Sequence, residues 1–212
     1  MAARRDRVRQ QVLRWQNQIY DAVIGLESRL SNILDRGGYT ALSATTVKGM
    51  NPNWSISYEY FMPTTLFLFA QYFCWVQLFR EGMSYELFSN QEQRKGLIQA
   101  MERVSNSLSK FPFDSQFAAK GDRQVFRLQQ RALGEALIVK DKDSAETCMR
   151  LNEFLREYAK GSVQFAEPLH QFLDGLEKQT CQWERLEQCR GSLGHLNEEF
   201  KRVLGGATLD SA

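Results

Sequence analysis

Histidine, cysteine and proline are scarce in this chain of 212 residues, and the shortage of histidine excludes most metal sites. The two histidines, His170 and His195, have no cysteine or histidine around them at the spacing of a zinc site. Glu167 and His170 form a single Glu-x-x-His pair, whereas di-iron bundles use two. We therefore expect no metal site.

Motifs that indicate the common enzyme classes are missing as well. The sequence contains no Walker phosphate-binding loop, no dinucleotide-binding glycine pattern, no GxSxG elbow and no HExxH motif. We therefore expect no cofactor, and a non-enzymatic role is favoured over a catalytic one.

The composition favours helices. The chain has only 4 prolines and is rich in Gln, Glu, Arg and Leu, which form helices readily. Its net charge of +2 provides no strong general attraction to nucleic acid or anionic lipid. No secretory signal precedes the helical pattern, so we expect a cytoplasmic protein with reduced cysteines. These cysteines are Cys74, Cys148, Cys181 and Cys189.

The densest apolar stretch, over residues 60–81, reads YFMPTTLFLFAQYFCWVQLFRE. Its apolar side chains cover nearly the whole circumference of a helix, which predicts a central helix buried on most sides. Pro63 is expected in the first helical turn, with the two threonines that follow it as caps. A membrane span needs about 20 apolar residues. Because Gln71 and Gln77 interrupt this shorter run, we favour a buried core helix.

Long amphipathic helices are predicted at both ends of the chain. Residues 6–36 carry an apolar seam with the spacing of a helix bundle, in which Arg29 is the exception. Residues 169–204 show a similar stripe, which Gly205 and Gly206 are expected to end. Shorter helices are predicted over residues 91–110, 123–139 and 145–160.

The expected fold is therefore all-α: an elongated bundle of about six helices with long first and last helices packed side by side. The whole bundle is expected to form one domain over residues 1–206. A disordered tail is expected over residues 207–212.

The most distinctive polar segment lies in the predicted helix over residues 123–139. Arg127, Arg131 and Glu135 are four residues apart in succession, so they share one helix face. Gly134 in mid-helix predicts close packing against another helix. One hypothesis is that this face lines a groove that binds an anionic group. The alternative, which we favour, is a packed helix crossing with a satisfied salt bridge.

The connection over residues 39–62 is the second candidate region, because long loops in compact domains are often functional. Its aromatic side chains favour an ordered loop that wraps over the bundle. In a ligand-binding bundle, Glu59 or Tyr58 would share one pocket with the arginines. The complete candidate polar or interaction site consists of Arg127, Gln130, Arg131, Glu135, Trp54, Tyr58 and Glu59.

Four arginines, Arg4, Arg5, Arg7 and Arg9, stand at the start of the chain. They suit a solvated helix end, and they equally suit a segment that follows a membrane helix, because cytoplasmic flanks are rich in Arg and Lys. Binding to a membrane surface or to nucleic acid through these arginines is a further alternative. Nucleic acid is the less expected partner, because no DNA-binding motif is present.

Two segments resemble a group of bacterial sequences. They are PTTLFLFAQYFCWVQLFR, over residues 63–80, and VFRLQQRALGEALI, over residues 125–138. They are similar to segments of uncharacterised bacterial proteins in which an N-terminal membrane helix precedes a soluble helical region. The resemblance implies a topology and no activity. The residues that match the second segment are Phe126, Arg127, Gln130, Arg131, Ala132, Gly134 and Glu135.

The leading functional hypothesis is a non-enzymatic helical interaction domain, as the cytosolic region of a bacterial membrane-anchored protein. It would bind a protein partner, or a second copy of itself, through helix faces at the inner face of the cell membrane. One alternative is a small-ligand-binding or enzymatic bundle with a polar pocket around Arg131 and Glu135. The other is membrane-surface or nucleic-acid binding through the arginine-rich start.

Overall fold

The computed structural model describes residues 2–44, 57–82, 91–110, 123–142 and 144–209. In these ranges the chain forms seven α-helices, one antiparallel hairpin and 3-10 turns at Gly38–Leu42 and Gln164–Ala166. The prediction of an all-α fold is confirmed, with seven helices rather than six. The helices are α1 (Ala2–Asp35), α2 (Tyr58–Gly82), α3 (Gln91–Ser109), α4 (Arg127–Ala136), α5 (Leu151–Ala159), α6 (Glu167–Leu173) and α7 (Cys181–Leu209). The strands are β1 (Ile138–Lys140) and β2 (Glu146–Cys148).

The α2 helix forms the core, as the apolar stretch predicts. Side chains on every side of it are buried, among them Phe69, Tyr72, Cys74 and Leu78. It is covered by α1, α4, α5, α6, β2 and the turn Gly38–Leu42. No helix in the described ranges is both long enough and apolar enough to cross a membrane.

Pro63 lies inside α2, because the helix begins before it rather than at it. A proline in a helix interior cannot donate a hydrogen bond to the carbonyl four residues earlier. The hydroxyls of Thr64 and Thr65 do not cap the helix. They donate instead to the carbonyls of Tyr60 and Phe61, each at 2.7 Å. These bonds satisfy the buried threonine hydroxyls within the helix, whereas the carbonyl that loses its helical donor at Pro63 is that of Glu59.

Arg29, the exception in the apolar seam of α1, joins α1 to α2. Its Nη1 donates to Thr65 Oγ1 at 3.1 Å and lies 3.5 Å from the carbonyl oxygen of Phe61. Its guanidinium carbon lies 4.3 Å from the centre of the Phe61 ring. Burial lowers the pKa of Arg29. The two oxygens and the aromatic face offset the loss of water around the cation.

The long helices α1 and α7 are in contact, as predicted. Arg190 Nη1 on α7 lies 2.5 Å from Asp35 Oδ2 at the end of α1. Further along the pair, Asn197 Nδ2 lies 3.5 Å from Glu27 Oε2. On its other side α7 packs along α3. The pair of long helices therefore links α2, which packs on α1, to α3, which packs on α7.

The predicted helix over residues 169–204 is in fact two helices. After α6 the chain turns at Gly175 and Gln179, whose φ angles are +68° and +59°. These left-handed conformations are incompatible with a continuous α-helix. The second helix, α7, starts after Thr180, whose Oγ1 accepts a hydrogen bond from the amide N–H of Trp183 at 3.2 Å.

At its far end α7 continues through Gly205 and Gly206 to Leu209, beyond the predicted end of the helix. Glycine lowers helix stability by about 1 kcal/mol relative to alanine and does not by itself end a helix. Residues 210–212 of the predicted tail lie outside the described residues.

The hairpin is formed by residues that the sequence pattern predicted to be helical. The predicted helices over residues 123–139 and 145–160 are shorter than expected, because β1 and β2 occupy their adjoining ends. Ile138 pairs with Cys148, and Val139 pairs with Thr147. The β-branched residues favour an extended backbone, and Ser144, at φ +60°, turns the chain before β2.

All four cysteines are free and buried, and Cys74 is a core residue as predicted. Cys74 on α2 lies beside Cys148 on β2, and the hydrogen bond between their thiols, together with burial, raises the pKa of Cys74. Burial likewise raises the pKa of Cys189 to about 12. These thiols are therefore protonated at neutral pH and act as packing residues.

Gly134 marks the point where α4 crosses α2. A Cβ atom at this position would lie 2.8 Å from both the carbonyl carbon and the carbonyl oxygen of Phe73. It would also lie 3.1 Å from the amide nitrogen of Cys74. These atoms belong to the backbone of the buried helix, which cannot move aside. The predicted close packing of Gly134 is confirmed.

The variant Gly134→Ala is expected to destabilise the protein by about 1–3 kcal/mol, because overpacking outweighs the better helix propensity of alanine. Gly191→Ala is the matched control: it also lies within a helix, and a Cβ there meets no described atom within 4 Å. Urea unfolding should show lower stability for the first variant and unchanged or higher stability for the second. A Gly134→Ala variant as stable as the wild type would contradict the close crossing.

Candidate functional site

A groove opens between the C-terminal half of α2, the middle of α3 and the start of α4. We call it the central groove, and its volume is about 360 Å³. Its described lining consists of Tyr72, Phe73, Val76, Gln77, Arg80, Glu81, Met101, Glu102, Ser105, Arg127, Leu128, Gln130 and Arg131. Three residues of the predicted site, all on α4, therefore lie in one groove.

Tyr58 and Glu59 do not share the central groove with these arginines. They stand at the start of α2, and the helical rise places Tyr58 roughly 28 Å from Gln77. The structure thus separates the two segments that the sequence combined into one candidate pocket. Trp54, the remaining predicted residue, lies outside the described residues.

Gln130 is the buried anchor of α4. Its Nε2 donates to the carbonyls of Ser105 at 3.0 Å and Val125 at 2.7 Å. Its Oε1 accepts a hydrogen bond from Ser105 Oγ at 2.5 Å. The side-chain amide therefore ties the start of α4 to α3 and holds that side of the groove in place.

Arg131 and Glu135 form an ion pair on the exposed face of α4. Arg131 Nε lies 2.8 Å from Glu135 Oε1, and the same oxygen accepts a hydrogen bond from Gln77 Nε2 on α2 at 3.0 Å. The bond from Arg131, followed by the bond from Gln77, lowers the pKa of the Glu135 carboxyl. This geometry agrees with the interpretation of a helix crossing with a satisfied salt bridge.

Two other arginines at the groove, Arg80 and Arg127, have no carboxylate partner among the described residues. Arg127 Nη2 donates to the neutral side chain of Asn106, whose Oδ1 lies at 2.6 Å. Neither Arg127 nor Arg80 forms an ion pair with a carboxylate of the described residues. Both guanidinium groups are exposed and can bind an anionic group from outside.

Apolar side chains form the floor and one edge of the groove. Tyr72, Phe73 and Met101 are buried beneath it. Leu128 forms the edge and is 79% exposed, and the neighbouring Phe126 is 57% exposed. Large apolar side chains that stand together in water beside a groove are typical of a binding surface.

Tyr72 places an unsatisfied polar atom beside the groove, which sequence reasoning missed. Its side chain is almost fully buried, and Oη has no hydrogen-bond partner among the described residues. Burial raises the pKa of this phenol. A buried hydroxyl without a partner costs about 1–3 kcal/mol. The signal in the sequence was Tyr72 itself, which carries the only hydroxyl group between Phe69 and Phe73 in the central apolar run.

Tyr58 belongs to a separate polar cluster that fastens the start of α2 to α6. Its hydroxyl donates to Asp174 Oδ1 at 3.0 Å and lies 3.1 Å from His170 Nε2. Burial, followed by the bond to Asp174, raises the pKa of Tyr58. Glu59 is exposed, and hydrogen bonds to its own backbone and to Ser57 lower its pKa.

In the described part of the chain, no group of three or more His, Cys, Asp or Glu side chains stands close enough to hold a metal ion. The lining of the central groove offers guanidinium, carboxylate, amide and apolar groups instead. Such groups recognise a partner by charge, hydrogen bonding and burial.

Gln130→Ala is expected to lower the free energy of unfolding by about 2–3 kcal/mol, because it removes the side-chain donor to the Val125 carbonyl and the acceptor of the Ser105 hydroxyl. Gln129→Ala is the matched control. Its Oε1 accepts only the exposed amide N–H of Phe126, at 2.8 Å, so we expect a loss of less than about 1 kcal/mol. Chemical unfolding measures both. Equal losses would show that Gln130 is not the anchor of α4.

The ion pair of Arg131 and Glu135 should give a small stabilisation that depends on pH. The folded-state pKa of Glu135 lies below its usual value of 4.5, so the contribution is present above that pH and is lost as the pH falls through the folded-state pKa. Melting temperatures of wild type and Glu135→Gln should therefore differ slightly at pH 7 and converge as the pH falls below the usual value of 4.5 and through the folded-state pKa. The difference at pH 7 should shrink in an Arg131→Ala background. A difference that is independent of pH would argue against the pair.

Neither a protein-family model, nor a curated protein, nor a solved structure matches this chain. The resemblance of residues 63–80 and 125–138 to bacterial sequences therefore stays a prediction. The function has to be inferred from the geometry of the grooves and from the residues that line them.

Proposed function

We propose that this protein is a non-enzymatic helical interaction domain, and that its central groove binds an acidic amphipathic helix of a partner protein. The observation that carries the proposal is the exposed apolar edge at Leu128, in a groove that Arg80 and Arg127 also line without a carboxylate partner among the described residues. The proposal rests on apolar surface, on charge and on shape.

The apolar contribution comes from the edge and the floor of the groove. Leu128 is 79% exposed, although the short helix that carries it is well anchored by Gln130. Exposure of a leucine and of its neighbour Phe126 has no benefit for folding, because the folded chain leaves both in water. Burial under a partner would remove this apolar surface from water, and such residues often dominate the energy of an interface.

The charged contribution favours an acidic partner. Three arginines and two glutamates, Glu81 and Glu102, line the groove, so its lining has one more cation than carboxylates. One of the arginines, Arg131, is paired with Glu135, which is not part of the lining. Arg80 and Arg127 remain as donors for carboxylates of a partner. Arginine binds carboxylates through two parallel hydrogen bonds, which adds orientation to attraction.

The shape favours a helix as the bound element. Three helices form the walls of the groove, and an amphipathic helix can lay its apolar side chains into such a groove at spacings of three and four residues. The volume of about 360 Å³ suits a few apolar side chains rather than a whole domain surface.

The arginine-rich start supports the second part of the proposal, a cytoplasmic location at the inner face of a bacterial cell membrane. Arg4, Arg5, Arg7 and Arg9 lie within α1. Their side chains lie outside the described residues. Clusters of basic residues next to a membrane segment are typical of the cytoplasmic side, and the resembling bacterial sequences carry a membrane helix before the soluble region.

A helical peptide library selected on the wild-type protein tests this function. The enriched peptides should combine apolar residues at helical spacing with Asp or Glu. Their affinity, measured by fluorescence anisotropy, should fall at least about tenfold in Leu128→Asp and in Arg127→Glu, because each change removes a central contact of the groove. Arg156→Glu is the charge-matched control on the exposed face of α5 and should bind as the wild type does.

Circular dichroism melting verifies that each variant is folded. Selected peptides that bind the two groove variants as tightly as the wild type would overturn the proposal. Peptides with no acidic residues would overturn its charged part. Sedimentation velocity tests whether a second copy of the chain, rather than a partner protein, fills the groove. A wild-type dimer that Leu128→Asp converts to a monomer would show that it does.

A further inference from the structure

A second groove lies on the other side of α3, where α3 packs along α7. We call it the α3–α7 groove, and its volume is about 460 Å³. It shares no lining residue with the central groove. The hydroxyl of Ser107 in the lining already donates to the carbonyl of Val104, at 2.7 Å. The other lining side chains that can donate hydrogen bonds are Arg103, Asn106, Lys110, Gln188, Ser192 and His195.

These donors form two facing rows. On α3 the residues at positions 103, 106 and 110 are spaced by three and four, so they share one helix face. On α7 the residues at positions 188, 192 and 195 are spaced by four and three and line the opposite wall. A ligand between the helices would therefore meet donors from both sides.

The basic side chains of this groove have no partner in the part of the chain that the structure describes. Arg103, Lys110 and His195 make no side-chain hydrogen bond or ion pair with the described residues. The described lining contains no carboxylate. Positive charge in this groove is therefore uncompensated within the described part of the chain.

Carboxylates elsewhere on α7 are already engaged. Glu187 Oε1 accepts a hydrogen bond from the indole of Trp183 at 3.0 Å. Glu198 and Glu199 form ion pairs with the residues three positions further along the helix, at 2.7 Å and 2.6 Å. These three carboxylates of α7 are thus engaged by other groups, and Glu102 of α3, next to Arg103 in sequence, lines the central groove instead.

The C-terminal end of α3 also has a feature that favours the binding of an anion. The last carbonyls of a helix carry the negative end of its dipole, which would repel an anion. Arg185, a fully buried residue of α7, donates to the carbonyl oxygen of Lys110 and lies 3.5 Å from the carbonyl oxygen of Ser107. Its guanidinium group counters this negative end beneath the groove.

Asn106 adds a fixed polar contact. Its Oδ1 accepts the hydrogen bond from Arg127 Nη2 at 2.6 Å. With the oxygen so occupied, the Nδ2 group of the amide remains as a donor. The side chain is therefore held in the orientation that offers donors to the groove rather than an acceptor.

We propose that the α3–α7 groove binds a small phosphate-bearing anion between Arg103 and Lys110 on α3 and His195 on α7. Phosphate oxygens only accept hydrogen bonds when fully ionised, and every side chain named in the lining can donate. Arginine and lysine are the residues that bind phosphate most often in proteins. This site is independent of the central groove, so either proposal can fail without the other.

The test is a titration of isotope-labelled protein with inorganic phosphate and with pyrophosphate, followed by NMR amide shifts at constant ionic strength, with chloride as the compensating anion. Saturable shifts are expected for amides of residues 103–110 and 188–195. Arg103→Gln and Lys110→Gln should each weaken binding by about tenfold, because each removes a charge-assisted hydrogen bond.

Matched controls are Arg156→Gln and Lys140→Gln, which remove exposed cations outside the groove and should leave the affinity unchanged. Shifts that do not saturate, that match those of chloride or that persist in both groove variants would overturn the proposal. Binding of a single-stranded oligonucleotide without binding of pyrophosphate would overturn the assignment to a small anion and indicate a nucleic-acid surface instead. Melting curves of all four variants confirm that each is folded.

Discussion

The α2 helix has almost no side that can face water, and the other elements must together supply its cover. Its apolar residues point in all directions, so a single neighbouring helix cannot bury them. The long α1, the short α4 and α5, the hairpin and the turn after α1 each cover a part. Removal of this apolar surface from water is the main gain on folding. It also explains why short elements with little stability of their own are held in place.

One consequence is the close crossing of α4 over α2. A residue without a side chain, Gly134, lets the two backbones approach, and Gln130 then fastens the start of α4 to α3. With the C-terminal part of α4 pressed onto the core, its first turn stands out beside α3. Leu128 and Arg127 lie on this turn. The apolar and basic edge of the central groove is therefore a direct result of how the core is covered.

The α3 helix separates two surfaces of different chemistry. One face, with Met101 and Ser105, belongs to the mixed apolar and charged central groove. Another face, with Arg103 and Lys110, belongs to a groove whose described lining is basic and polar without a carboxylate. Arg127 connects the two, since it lines the first groove and donates to Asn106 in the second.

The sequence alone determined the helical class, the burial of the central helix, the contact between the first and last helices and the close packing at Gly134. These follow from local periodicity and from residue volume, which are properties of the chain itself. Tertiary structure decided the rest. The break at Gly175 and the hairpin after α4 depend on backbone conformations that an apolar stripe does not reveal. The separation of Tyr58 from Arg127 depends on the length of α2. The α3–α7 groove depends on which helix faces meet, because side chains distant in sequence become neighbours only after packing.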